Sequence, residues 1–198
     1  MKTSAIASIA TAIMAGLTIA SEPIPGYDIV ELSWEVKPYL TGDSITLNGT
    51  IEQVHAQLLE INPNYDTEVA PVVAEAALAE SKQIARRGVI SKRDHTICGH
   101  FSSANKGRIQ QGIDYLWGVG GRPGNGPGPG ACGRVSCSYN SAIYWCNDNS
   151  YFYQLNGYWE IANGAGQVIN DCASGASWVS GQRFYNANWN VIVRGDNC

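Results

Sequence analysis

All six cysteines of this 198-residue chain lie in its last 105 residues. An even number of cysteines within such a short stretch predicts three disulfides and leaves fifteen pairings open. Disulfides persist in oxidising compartments, and they stabilise domains whose apolar core is small. The cysteines therefore predict a secreted, disulfide-stapled domain over residues 94–198, with these half-cystines: Cys98, Cys132, Cys137, Cys146, Cys172 and Cys198.

Composition changes at the same boundary. Five of the six Trp, all three Phe and seven of the ten Tyr also follow residue 93. Residues 21–93 carry eleven acidic and six basic side chains, whereas residues 94–198 carry six of each. Because the aromatic part is neutral with scattered charges, it lacks the basic surface of an electrostatic nucleic-acid binder. We therefore expect no nucleic-acid partner.

The first twenty residues have the pattern of a secretory signal peptide. Lys2 is followed by small, apolar and hydroxyl residues up to Ala20, which correspond to a basic region, an apolar region and a small residue at the cleavage point. No later apolar run approaches the roughly 20 residues that span a bilayer. The sequence predicts an extracellular protein without stable membrane insertion.

Two dibasic pairs mark the compositional boundary. Residues 86–93 read RRGVISKR, and fungal secretory convertases of the kexin type cut after such pairs. We expect cleavage after Lys92-Arg93, which divides the chain into an acidic pro-region over 21–93 and a mature domain over 94–198. The pro-region could assist folding, mask the mature surface or act as a weakly ordered spacer. Asn48-Gly49-Thr50 is a predicted N-glycosylation site.

Local patterns predict helices within the pro-region. Thr50 and Gln53 have the spacing of a capping box, and Ile51, Val54, Leu58 and Ile61 follow at helical intervals. Asn62-Pro63 should end this helix, and an Ala-rich helix is expected over about 68–85.

The mature part predicts an α+β fold with the element order β-α-β-β-α-β. Ile109, Ile113 and Leu116 follow helical spacing after a cap at Ser102 or Ser103, and Asn140-Ser141 is the expected hairpin turn. This order predicts a four-stranded antiparallel sheet with two helices on one face. The expected strands are 95–101, 134–139, 142–147 and 189–194. One helix is expected to begin after 102–103 and the other to cover 158–172. A Gly/Pro-rich loop covers 118–130.

Two surfaces of this fold are candidates for binding. Helices on one side leave the other sheet face uncovered. We place Ile143, Trp145 and Ile192 there, or their neighbours in the strands if the register differs by one residue. Large apolar side chains on an uncovered face indicate a partner surface. The 118–130 loop is the second candidate, although it could instead fold over the sheet face.

Catalytic chemistry has weak support in this sequence. His100, Glu160 and Arg134 could together support RNA cleavage, so a small secreted ribonuclease is the alternative function. His95, Cys98 and His100 are close in sequence, but Cys98 serves better in a disulfide than as a metal ligand. We assign no catalytic residue, no metal site and no cofactor.

Three blocks resemble those of small secreted cysteine-rich proteins of filamentous fungi: CGRVSCSYNSAIYWCNDN (132–149), IANGAGQVINDC (161–172) and WNVIVRGDNC (189–198). Within that group the layout resembles killer-toxin-like α/β sandwiches and plant-pathogen effectors of the avirulence or secreted-in-xylem type. The resemblance implies a disulfide-stapled α/β sandwich that acts without catalysis. It also implies a host or competitor protein as partner, with a second effector as a further possibility. A purely defensive protein, such as an antimicrobial domain, is the third hypothesis.

Overall fold

The structure is a computed structural model that describes residues 23–86 and 94–198. We call these the N-terminal segment and the cysteine-rich segment. The predicted signal peptide and the Lys92-Arg93 processing site lie outside the described residues and stay predictions. The described helices are α1 (Ile51–Ile61), α2 (Ala70–Arg86), α3 (Lys106–Trp117) and α4 (Tyr158–Cys172), with a π-helical turn at Tyr65–Val69 before α2.

The strands are mostly short, and the longest ones belong to the cysteine-rich segment. In chain order they are β1 (Asp28–Val30), β2 (Ser33–Val36), β3 (Ile45–Asn48), β4 (His95–Cys98), β5 (Ala104–Asn105), β6 (Gly124–Asn125), β7 (Ala131–Ser138), β8 (Ser141–Asn147), β9 (Tyr153–Gln154), β10 (Trp178–Val179), β11 (Gly181–Tyr185) and β12 (Trp189–Gly195). None of the helices among residues 23–86 and 94–198 is long and apolar enough to cross a membrane.

The main sheet is six-stranded and mixed, in the order β1-β7-β8-β12-β11-β4. The α+β class is confirmed, but the expected four-stranded antiparallel sheet is wrong in two ways. Strand β11 lies between β12 and β4, and strand β1 of the N-terminal segment extends the far edge. Strand β1 pairs with β7 in parallel, whereas every other pairing in this sheet is antiparallel.

Helices α3 and α4 cover one face of this sheet, as the sequence predicts. In α3, Ile109, Ile113 and Leu116 are buried, but the N-cap is Asn105, whose side chain accepts a hydrogen bond from the Arg108 N–H (3.2 Å). Gly164 of α4 lies against strand β12, because a Cβ at that position would be 2.6 Å from Val191 Cγ2. The glycine that weakens helix propensity therefore permits close helix–sheet packing.

All six cysteines form disulfides, which confirms that expectation and selects one of the fifteen pairings. Cys98–Cys172 links β4 to the end of α4, Cys132–Cys146 crosses from β7 to β8, and Cys137–Cys198 holds the C-terminus against β7. Every disulfide therefore lies within the cysteine-rich segment.

The hairpin between β7 and β8 turns one residue earlier than expected. Tyr139 and Asn140 occupy the turn with φ angles of 48° and 56°. Two consecutive positive φ values are typical of a type I′ turn, whose twist matches that of the flanking strands. The Tyr139 side chain consequently projects from the tip of the hairpin, where it is 75% exposed.

The N-terminal segment shares one apolar core with the cysteine-rich segment. The capping box at Thr50 and Gln53 is present, and Ile51, Val54 and Leu58 of α1 are fully buried. Trp34 stacks on Tyr158 of α4 with ring centroids 4.6 Å apart. Strand β2 and helix α1 of the N-terminal segment are thus part of this core.

The second face of the main sheet is also covered. Ile24 is 2% exposed and packs with Tyr144 and Ile192, and Tyr27 and Phe101 lie at the border of this cluster. The face predicted to be open is therefore covered by the start of the N-terminal segment together with Phe101.

Candidate binding surface

Ile143 and Trp145 do not lie on an open sheet face. Both are 0% exposed and belong to the core beneath α3 and α4. Their cross-strand partners on β12 are Val193 and Val191, which share that core. These two predicted binding residues are therefore core residues on the helix-covered face.

Ile192 lies on the opposite face from Ile143 and Trp145. Its cross-strand partner is Tyr144, and successive residues of a strand point to alternate faces. The three residues were expected on one face of the sheet, but the structure divides them between both faces. Ile192 is 0% exposed, and the cluster that covers it includes Ile24 and borders Tyr27. None of the three residues is accessible to a partner in this structure.

The Gly/Pro-rich loop pairs with a second loop at one end of the sheet. Strand β6 within the first loop pairs with β9 in an antiparallel ribbon, with Gly124 opposite Gln154 and Asn125 opposite Tyr153. The backbone N–H of Leu155 donates to the carbonyl of Pro123 (2.9 Å). We call residues 121–130 and 148–156 the paired loops. The loop therefore does not fold over the sheet face.

Three buried asparagines hold the paired loops in place. Asn147 at the end of β8 donates through Nδ2 to the carbonyls of Asn125 (2.9 Å) and Tyr151 (2.8 Å). Asn125 in turn donates to the Ala131 carbonyl (2.9 Å), and Asn149 donates to the carbonyls of Ala187 and Asn188. Because satisfied buried polar networks are rigid, these bonds fix the backbone of both loops.

Two neighbouring aromatic side chains project from this rigid backbone. Tyr151 and Phe152 are each 59% exposed. The Phe152 ring lies across Gly124, where any Cβ would overlap the ring. The next residues anchor the loop from inside, since Leu155 is 1% exposed and Tyr153 packs against the core. The loop therefore packs Tyr153 and Leu155 against the core and leaves Tyr151 and Phe152 exposed to solvent.

Charged groups flank the two aromatic residues. Burial raises the pKa of Asp148, although the Asn190 amide, which donates to its carboxylate (2.7 Å), opposes that shift. Burial also raises the pKa of Glu160, which accepts hydrogen bonds from the Asn156 N–H (2.6 Å) and side chain. Arg122 donates to the Leu155 carbonyl (3.3 Å). These three charged groups form hydrogen bonds with backbone groups and Asn side chains, which helps to hold the loops in position.

Two other strongly exposed aromatic residues of the cysteine-rich segment lie near the start of α3. Tyr139 at the hairpin tip is covered on one side by the Arg108 guanidinium, 3.8 Å from its ring centroid. Trp178 of β10 is 59% exposed and pairs through its backbone with Asn105. Among the described residues, Tyr151 and Phe152 are the only two strongly exposed aromatic residues that are adjacent in the chain.

The residues proposed for RNA cleavage lie far apart. Glu160 is in the first turn of α4, whereas Cys172 ends that helix and is bonded to Cys98, two residues before His100. At 1.5 Å per residue, these helix positions are about 18 Å apart. Arg134 lies on β7, where its guanidinium donates to the Asn197 carbonyl (2.9 Å). Glu160 and His100 therefore cannot reach one phosphate, so the predicted set of three residues does not form one site.

The remaining predicted site residues are surface or structural residues. His95 stacks on Phe184 with ring centroids 5.0 Å apart, and Cys98 is oxidised and unavailable as a metal ligand. Within the described ranges, no cluster of three metal-ligating side chains occurs. Asn48 is exposed at the end of β3 and accepts a hydrogen bond from Ser33 (2.9 Å), so its glycosylation stays a prediction.

A sequence signal for Tyr151 and Phe152 was available. Residues 147–153 read NDNSYFY, in which turn-forming residues precede three consecutive aromatic residues. Neighbouring side chains of a strand point to opposite faces, so a half-buried strand alternates apolar and polar residues. Three consecutive aromatic residues lack this alternation. Aromatic residues in a turn-rich loop therefore indicated exposed rings.

Comparisons with known proteins identify no relative of this chain. No protein-family model matches it, no curated protein matches it, and no solved structure matches it.

Proposed function

We propose that this protein is a secreted effector or toxin-like protein of the fungal type, which acts by binding and without catalysis. Its partner is a protein of a host or of a competing microbe. The oxidised cysteines support secretion, because disulfides are maintained in oxidising compartments.

One observation carries the binding proposal: Tyr151 and Phe152 are consecutive, exposed aromatic residues on loops that three buried asparagines hold rigid. Aromatic side chains contribute a large share of binding energy at protein interfaces. A fixed backbone reduces the entropy lost on binding. The paired loops therefore have the properties of a preorganised protein-binding site.

The test compares a Tyr151→Ala/Phe152→Ala double variant with the wild type. Purified oxidised proteins are infiltrated into plant tissue and added to cultures of competing fungi and bacteria, which also separates the effector from the defensive hypothesis. We expect the double variant to lose at least ten-fold in potency, in whichever assay the wild type is active. Because both side chains are exposed, its unfolding midpoint should match that of the wild type.

Tyr139→Ala is the matched control, since it removes an exposed aromatic residue away from the paired loops. Full potency of the double variant, or equal losses in both variants, would contradict the assignment of the paired loops. RNA hydrolysis by the wild type that is lost in His100→Ala would instead support the ribonuclease alternative.

A further inference from the structure

The N-terminal segment contributes an integral part of the core. Seven of its apolar side chains are at most 2% exposed and lie in the same cluster as the buried residues of α3, α4 and the main sheet. An interface of this kind resembles a domain core cut in half, which is typical of obligate association. The seven are Trp34, Val36, Ile51, Val54, Leu58, Tyr65 and Val69.

Glycines of the cysteine-rich segment lie where the N-terminal segment approaches most closely. A Cβ at Gly133 of β7 would overlap the Leu32 side chain, and a Cβ at Gly121 would overlap the Glu35 carbonyl. Both backbones can approach only because these positions lack side chains. The surface of the cysteine-rich segment is therefore shaped to the N-terminal segment.

Polar groups cross the same interface. The Glu52 carboxylate accepts hydrogen bonds from the Ser136 hydroxyl and from the Cys137 N–H (3.1 Å), at a bulge in β7. The Tyr65 hydroxyl donates to the Gly118 carbonyl (3.0 Å), and the Tyr27 hydroxyl accepts from Asn190 (3.0 Å). These contacts lie on both sides of the main sheet, so the N-terminal segment contacts both faces of the sheet.

No disulfide joins the two segments, because every described bridge links two residues after position 94. Association after a cut between residues 86 and 94 would therefore depend on packing and hydrogen bonds alone.

We infer that the N-terminal segment is a permanent, non-covalent subunit of the folded protein, which stays bound to residues 94–198 after the chain between them is cut. The active form is then a two-chain protein, and the surface beneath the N-terminal segment is not released for binding. This inference does not depend on the proposed binding role of Tyr151 and Phe152, which are exposed with the N-terminal segment in place.

The experiment starts from purified, oxidised full-length protein, cut with a kexin-type protease. If the natural linker resists, replacing residues 87–93 by a specific protease site provides the same cut. Denaturing electrophoresis without reductant should show two chains. Size-exclusion chromatography and native mass spectrometry should show one particle containing both, down to concentrations on the order of 100 nM.

Interface variants make the result specific. Trp34→Ala should raise the concentration at which the cut protein dissociates by about 100-fold or more. Tyr39→Ala is the aromatic control, because Tyr39 is half exposed on the N-terminal segment. If Trp34→Ala does not fold, Glu52→Gln should weaken the cut particle by about 5-fold or more. Elution of residues 94–198 alone as a folded monomer after cutting would overturn the inference.

Discussion

The two segments of this protein share a core but are stabilised by different means. The cysteine-rich segment has three disulfides, which tie β4, β7, β8, α4 and the C-terminus together. The N-terminal segment has no cysteine, and its position depends on buried apolar side chains such as Trp34 and Leu58. The sharp change of composition near residue 93 is therefore a change in the kind of stabilisation, and it is not a boundary between separate cores.

The difference also explains where irregular backbone is tolerated. Long Gly/Pro-rich and turn-rich loops occur in the segment that covalent bonds constrain, where they carry the exposed Tyr151 and Phe152. The N-terminal segment instead places two helices and a hairpin against the core. Its stability depends on contacts that single substitutions can remove.

The largest expected effect comes from removing one covalent constraint. Cys98→Ala/Cys172→Ala opens a bridge with a sequence separation of 74 residues. Loop entropy alone predicts a loss of about 4 kcal/mol in the free energy of unfolding. Guanidinium unfolding of the full chain without reductant measures this loss. A loss below about 1 kcal/mol would show that the N-terminal segment makes this disulfide redundant.

Removing one buried side chain of the N-terminal segment should lower the free energy of unfolding by somewhat less. Leu58→Ala removes a fully buried side chain of α1 and should lower the free energy of unfolding by about 3 kcal/mol. Leu78→Ala, on the exposed side of α2, is the matched control and should cost less than about 0.5 kcal/mol. Equal and small losses in both variants would mean that the N-terminal segment adds little to the core.

The smallest effect concerns a polar junction between the segments. Asn190 donates to both the Tyr27 hydroxyl and the Asp148 carboxylate, and burial raises the pKa of Asp148. The folded state then holds the Asp148 proton more tightly than the unfolded state does. Stability should therefore fall as pH rises through the range just above the ordinary carboxyl pKa.

Asp148→Asn removes this titration while keeping an oxygen that can accept from Asn190. We expect a shallower decrease in the unfolding midpoint as the pH rises above about 4, the ordinary carboxyl pKa, because the raised pKa of Asp148 acts in that range. An unchanged pH slope in the variant would exclude Asp148 as its source.

Much of the secondary structure could be predicted from the sequence, because local patterns determine it. Helices α1, α3 and α4 follow apolar spacing, and β4, β7, β8 and β12 follow runs of β-forming residues. Strand β1 has only three residues, and its partner lies about 100 positions away. Strand β11 is half polar. Neither had a local signal strong enough to identify it.

The assignment of sheet faces could not be obtained in the same way. Strands β8 and β12 are buried at every position, so they lack the apolar–polar alternation that distinguishes a covered face from an open one. Trp145 and Ile192 both appear as large apolar residues, although they point to opposite sides. Which face was covered depended on residues 24–27, whose sequence has no pattern that indicates a docking role.

The parallel pairing of β1 with β7 has a consequence for synthesis. Strand β1 leaves the ribosome about 100 residues before the strand that it joins. The antiparallel partners β7 and β8 follow one another in the chain and can pair as soon as both have emerged. The part of the protein that is made first is therefore the part that docks last, and its apolar side chains need protection from aggregation until then.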